Sequence, residues 1–126
     1  MADVVKLDIA KLILEKVLGS TLKILNYEPK LARIYILLRD SVQLFIRYNN
    51  HEEYSYNIFF SNSELDRCRF DNYDDKWNVA TSPHHFHPRF EENGYNSPMN
   101  GNPNNDLQIL FNLIKSGKLL NKSIRF

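Results

Sequence analysis

The sequence predicts an α+β fold: a single domain with an antiparallel meander sheet of about five strands, packed by an N-terminal and a C-terminal helix. Three observations carry this. Apolar residues recur at helical spacing over residues 8–18 and again over 106–116. Between them, residues 21–72 hold short alternating runs joined by turns of a few residues, which favours antiparallel neighbours. The chain has 126 residues, one domain's length, and 43% hydrophobic residues suffice for a core without staples.

In the first helix Ile9, Leu12, Ile13 and Val17 form a stripe that Ala10, Leu14 and Leu18 widen, leaving Lys11, Glu15 and Lys16 to solvent. Gly19 and Ser20 stop it. A first strand over 21–27 ends at Glu28-Pro29, where proline supplies no ladder donor. The run 31–38 places Ala32, Ile34, Ile36 and Leu38 on one face and Arg33 and Tyr35 on the other. After the turn Arg39-Asp40-Ser41, the run 42–48 repeats the pattern with Val42, Leu44 and Ile46 opposite Gln43, Phe45 and Arg47. Strands over 54–60 and 65–70 follow, the last dividing Cys68 and Phe70 from Arg67, Arg69 and Asp71.

This alternation gathers Arg33, Arg47, Arg67 and Arg69 on one sheet face with Tyr35 and Phe45 between them. Such a face suits a phosphate backbone with stackable bases; it equally suits a solvated surface laced by cross-strand ion pairs. A net charge of +1 is no signature of a nucleic-acid binder, and the basic end (Lys115, Lys118, Lys122, Arg125) reads first as a solvated tail.

Residues 73–105 change character: they hold four of the five prolines and little periodicity, so they are expected to form one long functional loop. After it Leu107, Leu110, Phe111 and Ile114 restore helical spacing, with Asn105 or Asp106 as N-cap and Gly117 as stop. The loop carries Pro83-His84-His85-Phe86-His87, which contains three of the four histidines. Histidine titrates near neutral pH, so a pair can supply both base and acid. RNA cleavage needs both, together with a cation for the phosphorane, here Arg47 or Arg69. If the segment is extended, His85 and His87 point one way and His84 the other. Metal ligation is the competing reading, with Asp71, Asp74 or Asp75 completing the set, although the spacing matches no zinc pattern. A third is a structural loop. Cys68 reads as a buried thiol, and Tyr48, Tyr54 and Tyr56 read as strand aromatics of the core or as site residues. With one cysteine no internal disulfide can form, no apolar run is long enough for a membrane helix, and the N-terminal stretch lacks a signal-peptide pattern; a cytoplasmic protein without cofactor is expected.

Taken in order, Arg47-Tyr48, Tyr54-Ser55-Tyr56, Arg69-Phe70-Asp71-Asn72 and Thr81-Ser82-Pro83-His84-His85-Phe86-His87, followed by a terminal helix, resemble the TumE-like toxins of toxin–antitoxin pairs. The resemblance covers about residues 31–117 and is most specific in the Asp-Asn step and the Pro-His-His-x-His segment. It implies growth inhibition, RNA cleavage and a cognate antitoxin with a helix-turn-helix DNA-binding domain, and leaves a homodimer open. Its implied site residues are Arg47, Tyr48, Tyr56, Asp71, Asn72, His84, His85 and His87. In the role assignment His85 and His87 act as base and acid, Asp71 orients an imidazole, Arg47 or Arg69 holds the phosphate, and Tyr48 or Tyr56 positions substrate. The family tends to have His-Trp where this chain has Asn57-Ile58. The alternatives are a metal-dependent phosphodiesterase and a non-enzymatic RNA- or protein-binding module.

Overall fold

Asp3 opens the first helix by accepting a hydrogen bond from the Lys6 amide, 3.1 Å away. The computed structural model, which describes residues 1–73 and 76–126, runs this helix, α1, over Val4–Leu18. It therefore begins earlier than its apolar periodicity indicates. The buried stripe is also rotated: Leu7, Ala10, Leu14 and Leu18 face the core, Ile13 and Val17 flank them, and Leu12 is exposed. The cause is a surplus of apolar residues, since Val4, Val5, Ile9 and Leu12 blur which side of the helix is inward.

Seven strands follow instead of about five: β1 (Leu22–Glu28), β2 (Arg33–Leu38), β3 (Gln43–Tyr48), β4 (Tyr54–Phe59), β5 (Arg67–Asp71), β6 (His85–His87) and β7 (Tyr95–Asn96). They pair in sequence order, each antiparallel to the next. The meander is thus as expected. The two extra strands come from the segment 73–105, which is not one uninterrupted loop. Asp74 and Asp75 lie outside the described residues. The observed strands are also trimmed or shifted at their ends relative to the expected runs, and among the residues left outside, Ala32 and Leu65 take positive φ, at 55° and 60°.

The last helix, α2, covers Pro103–Lys115 and starts three residues before the expected position. Asn102 is its N-cap and Pro103 its first residue, where the missing N–H costs nothing. Asp106, read as an N-cap, is instead fully buried inside the first turn. α1 and α2 pack together on one face of the sheet. There Ile34, Ile36, Leu44, Ile46, Ile58, Phe70 and Phe86 form the core. The opposite face carries the odd members of the alternation and faces outward.

Candidate active site

The site is made by register. β5 and β6 pair as Asp71↔His85, Phe70↔Phe86 and Arg69↔His87. Because side chains alternate, the middle pair turns into the core, where the two phenyl rings stack 4.7 Å apart. The outer pairs turn the other way and set Arg69, Asp71, His85 and His87 in one patch of the open face. Three residues of β6 thus anchor the strand and present two imidazoles.

The contacts inside the patch fix protons. The Asp71 carboxylate meets Arg69 Nε through one oxygen and His85 Nε2 through the other. Neither contact is an aligned hydrogen bond, and Asp71 Oδ1 is sealed from water. The other nitrogen of His85 lies 3.0 Å from the Pro83 carbonyl. A carbonyl oxygen only accepts, so Nδ1 carries a proton. His85 Nε2 faces the Asp71 carboxylate, so both ring nitrogens of His85 meet acceptors.

His87 is held by different partners. Its Nδ1 donates to the carbonyls of Glu92 and Asn93, each at 3.1 Å, which leaves Nε2 as the lone-pair site. Burial is the largest cause of a depressed pKa, with the positive pull of His85 adding to it and Asp71 opposing. His87 is thus neutral at pH 7. The two rings stand 4.9 Å apart and nearly perpendicular, at 87°.

Trp77 roofs the pair. Its ring meets His87 edge-on at 5.6 Å and His85 at 6.4 Å. Gly94 lies against it: a Cβ there would come within 2.7 Å of the indole. On the indole the Lys76 ammonium sits 4.7 Å from the ring centroid. Beneath this roof is a recess of about 450 Å³ that Asn57, Tyr73 and Glu92 also line. Sequence reasoning passes over Trp77; its only signal is that it is the single tryptophan, placed in the polar segment before the histidines.

The other singled-out residues are not all brought to this patch. Arg47 shares the open face but lies two strands away, across Ser55 from Asp71. It lines a neighbouring recess with Arg33, Phe45 and Arg69 and forms no ion pair among the described residues. Asn72 ties β5 to the turn before β4, accepting from the Tyr54 amide and donating to the Glu52 carbonyl, both at 2.9 Å. His84 turns to the core side, where Nδ1 is 3.0 Å from the Tyr54 hydroxyl and the rings stack. Partial burial lowers its pKa.

Tyr48 and Tyr56 are fully buried on the helix side of the sheet, away from the histidine pair. Their hydroxyls are 2.8 Å apart, and Tyr56 donates to Asp106 Oδ2 at 2.6 Å. Asp106 also accepts from the amides of Asn100 and Gly101, so this network fastens the start of α2 to the sheet. Burial drives both phenols far above their ordinary range. This placement engages both hydroxyls with one another and with Asp106, on the sheet face opposite the one that carries His85 and His87. Cys68 is buried as read, its thiol pushed up to about 12 mainly by burial.

Asp71, His85 and His87 each bring one donor atom within 4.8 Å of the other two. They could hold a divalent ion, in two-histidine, one-carboxylate fashion, with both Nδ1 atoms already on backbone carbonyls.

The family model of Toxin TumE matches residues 9–116. The chain belongs to the TumE toxin family. The match runs from inside α1 through the histidine strand to the end of α2, so the patch lies wholly within it. No curated protein and no solved structure matches the chain. As a TumE family member it is a toxin in class. Among its described residues no helix is long and apolar enough to cross a membrane.

Proposed function

We propose that this TumE family toxin arrests growth by cutting RNA at the Arg69–Asp71–His85–His87 patch, without a metal, in the cytoplasm. The observation that carries the reading is a pair of imidazoles 4.9 Å apart with different partners, His85 Nε2 against the Asp71 carboxylate and His87 Nδ1 on two backbone carbonyls. His87 Nε2 takes the proton of a ribose 2′-hydroxyl. The 2′-oxygen bonds to phosphorus, the P–O5′ bond breaks, and protonated His85 gives its Nε2 proton to the departing 5′-oxygen as that nitrogen turns from Asp71 to the leaving group. The products are a 2′,3′-cyclic phosphate and a 5′-hydroxyl. Arg69 keeps guanidinium donors beyond the one aimed at Asp71, and these stabilise the charge that builds on the phosphorane. Asp71 keeps His85 oriented.

The partner is an antitoxin with a helix-turn-helix domain, as the resemblance implies, and it covers the patch. Inducible expression in bacteria tests the reading. The wild type should stop growth and fragment transcripts, and His85→Ala/His87→Ala, folded to the same extent, should do neither. Normal growth with intact RNA in the wild type refutes it.

A metal-dependent phosphodiesterase is the second reading, favoured by the convergence of Asp71, His85 and His87 and by their carbonyl-bonded Nδ1 atoms. Arg69 against the same carboxylate opposes a dication. A chelator separates the two: only the metal-dependent enzyme loses activity and regains it with Mn²⁺ or Zn²⁺.

A further inference from the structure

The patch continues across the sheet. Pairing extends the Asp71–His85 row through Ser55 and Arg47 to Arg33, and the Arg69–His87 row through Asn57 and Phe45 to Tyr35. Both helices lie on the other side, so nothing among the described residues of α1 or α2 covers these rows. An outward sheet face is ordinarily polar. This one has Phe45 within 5.1 Å of the Tyr35 ring and 5.8 Å of the Phe59 ring, the latter edge-on at 88°. Arginine is interleaved: Arg33 lies 5.4 Å over Phe45, and Arg69 lies 5.3 Å over Tyr73.

These features are not all free for a ligand. Arg33 is paired with Glu28 at 3.0 Å, and Arg67 donates to the Pro88 and Glu91 carbonyls. Arg47 has no such partner among the described residues. The recess beneath Trp77 and the one beside Arg47 share Asn57, Phe59, Arg69 and Tyr73, so they adjoin along the face. Aromatic faces alternating with cations along a groove suit a polyanion with unpaired bases, because a base inside a duplex has no free face to stack.

Resting on the RNA-cleaving reading of the patch, we infer that the substrate is single-stranded RNA laid across the strands, from the histidines on β6 toward β2. Phe45, Phe59 and Tyr73 receive bases, and Arg47 receives a phosphate neighbouring the scissile one. From Asp71 to Arg33 there are three interstrand steps of about 4.8 Å, or about 14 Å. That distance accommodates about four stacked nucleotides at about 3.4 Å each. A dinucleotide fills only the patch; a longer strand gains the rest of the face.

The test separates the track from the chemistry. Full-length His87→Ala protein is titrated into a labelled single-stranded octanucleotide, the same octanucleotide in a duplex, and a dinucleotide, with anisotropy as readout. Phe45→Ala and Phe45→Tyr are made in the same background, with circular dichroism to confirm the fold. The octanucleotide should bind at least tenfold more tightly than the dinucleotide or the duplex. Phe45→Ala should weaken it about tenfold and Phe45→Tyr should restore it. Equal affinity for the duplex, or a Phe45→Ala effect within twofold, overturns the track. Cleavage by the wild type is scored separately: failure to cut any RNA sinks the ribonuclease reading, whereas the binding series alone decides the track.

Discussion

The two sides of β6 make opposite uses of the same residue type. His85 and His87 project onto the open face, where one sets Nε2 against the Asp71 carboxylate and the other is kept neutral by burial under Trp77. His84, one position earlier, turns inward to Tyr54 and belongs with Tyr48, Tyr56 and Asp106. Both sides hold titratable groups in hydrogen-bonded networks. What differs is geometry: the outward network ends in a recess, the inward one ends on the amides that begin α2. A motif of three histidines thus presents two rings to the open face and one to the core, and strand alternation decides which.

Substitutions on the two faces should break apart along this line. The largest effect is expected at His87: on the proposed mechanism His87→Ala should lower RNA cleavage about 10²–10⁴-fold, while the loss of its two backbone hydrogen bonds should cost only about 1–3 kcal/mol of stability. Matched kinetics and thermal melts check this. Next is Phe86, the core residue between the two histidines. Phe86→Ala should cost about 3–5 kcal/mol of stability, read by denaturant unfolding. Loss of activity there should follow loss of folded protein.

A smaller effect is expected at Tyr56. Tyr56→Phe deletes a buried donor to Asp106 and should destabilise by about 1–3 kcal/mol, with cleavage per folded molecule retained. A specific rate loss at full folding would return Tyr56 to the site. The smallest concerns acid. The His87 and His84 pKa values are lowered on folding, so below about pH 6.5 the unfolded chain binds protons that the native one resists. The native state therefore loses stability as pH falls from that value through the two folded pKa values, and gains nothing from these groups above it. Unfolding midpoints between pH 5 and 7.5 should show the slope, and His87→Gln should reduce it.

How far this was legible in the sequence follows the same division. Runs of six residues with clean alternation, such as Arg33–Leu38 and Gln43–Tyr48, state both strand and facing, and they place the arginines on the open side. β6 and β7 are three and two residues long, too short for a period to emerge from a proline- and asparagine-rich stretch. What makes them strands is pairing with β5, a tertiary fact. The extended reading of the histidine segment nonetheless puts His85 and His87 together. Tyr48 and Tyr56 were drawn toward the site because a motif carries residue types in order and says nothing of the face. Their partners in register, Tyr54 opposite Tyr48 and Phe70 opposite Tyr56, belong to the core. Trp77 gives no signal in the sequence because Gly94 and the two imidazoles reach its ring only through tertiary folding.

The central claim is that the open-face histidines cut RNA by proton transfer alone. Incubating purified protein with a defined single-stranded RNA in excess chelator, and identifying the new ends, tests it most directly. The account predicts cleavage that persists in chelator, leaves a 2′,3′-cyclic phosphate and a 5′-hydroxyl, and vanishes in His87→Ala. Cleavage that stops in chelator and returns with Mn²⁺ or Zn²⁺, or products bearing a 3′-hydroxyl and a 5′-phosphate, would contradict it.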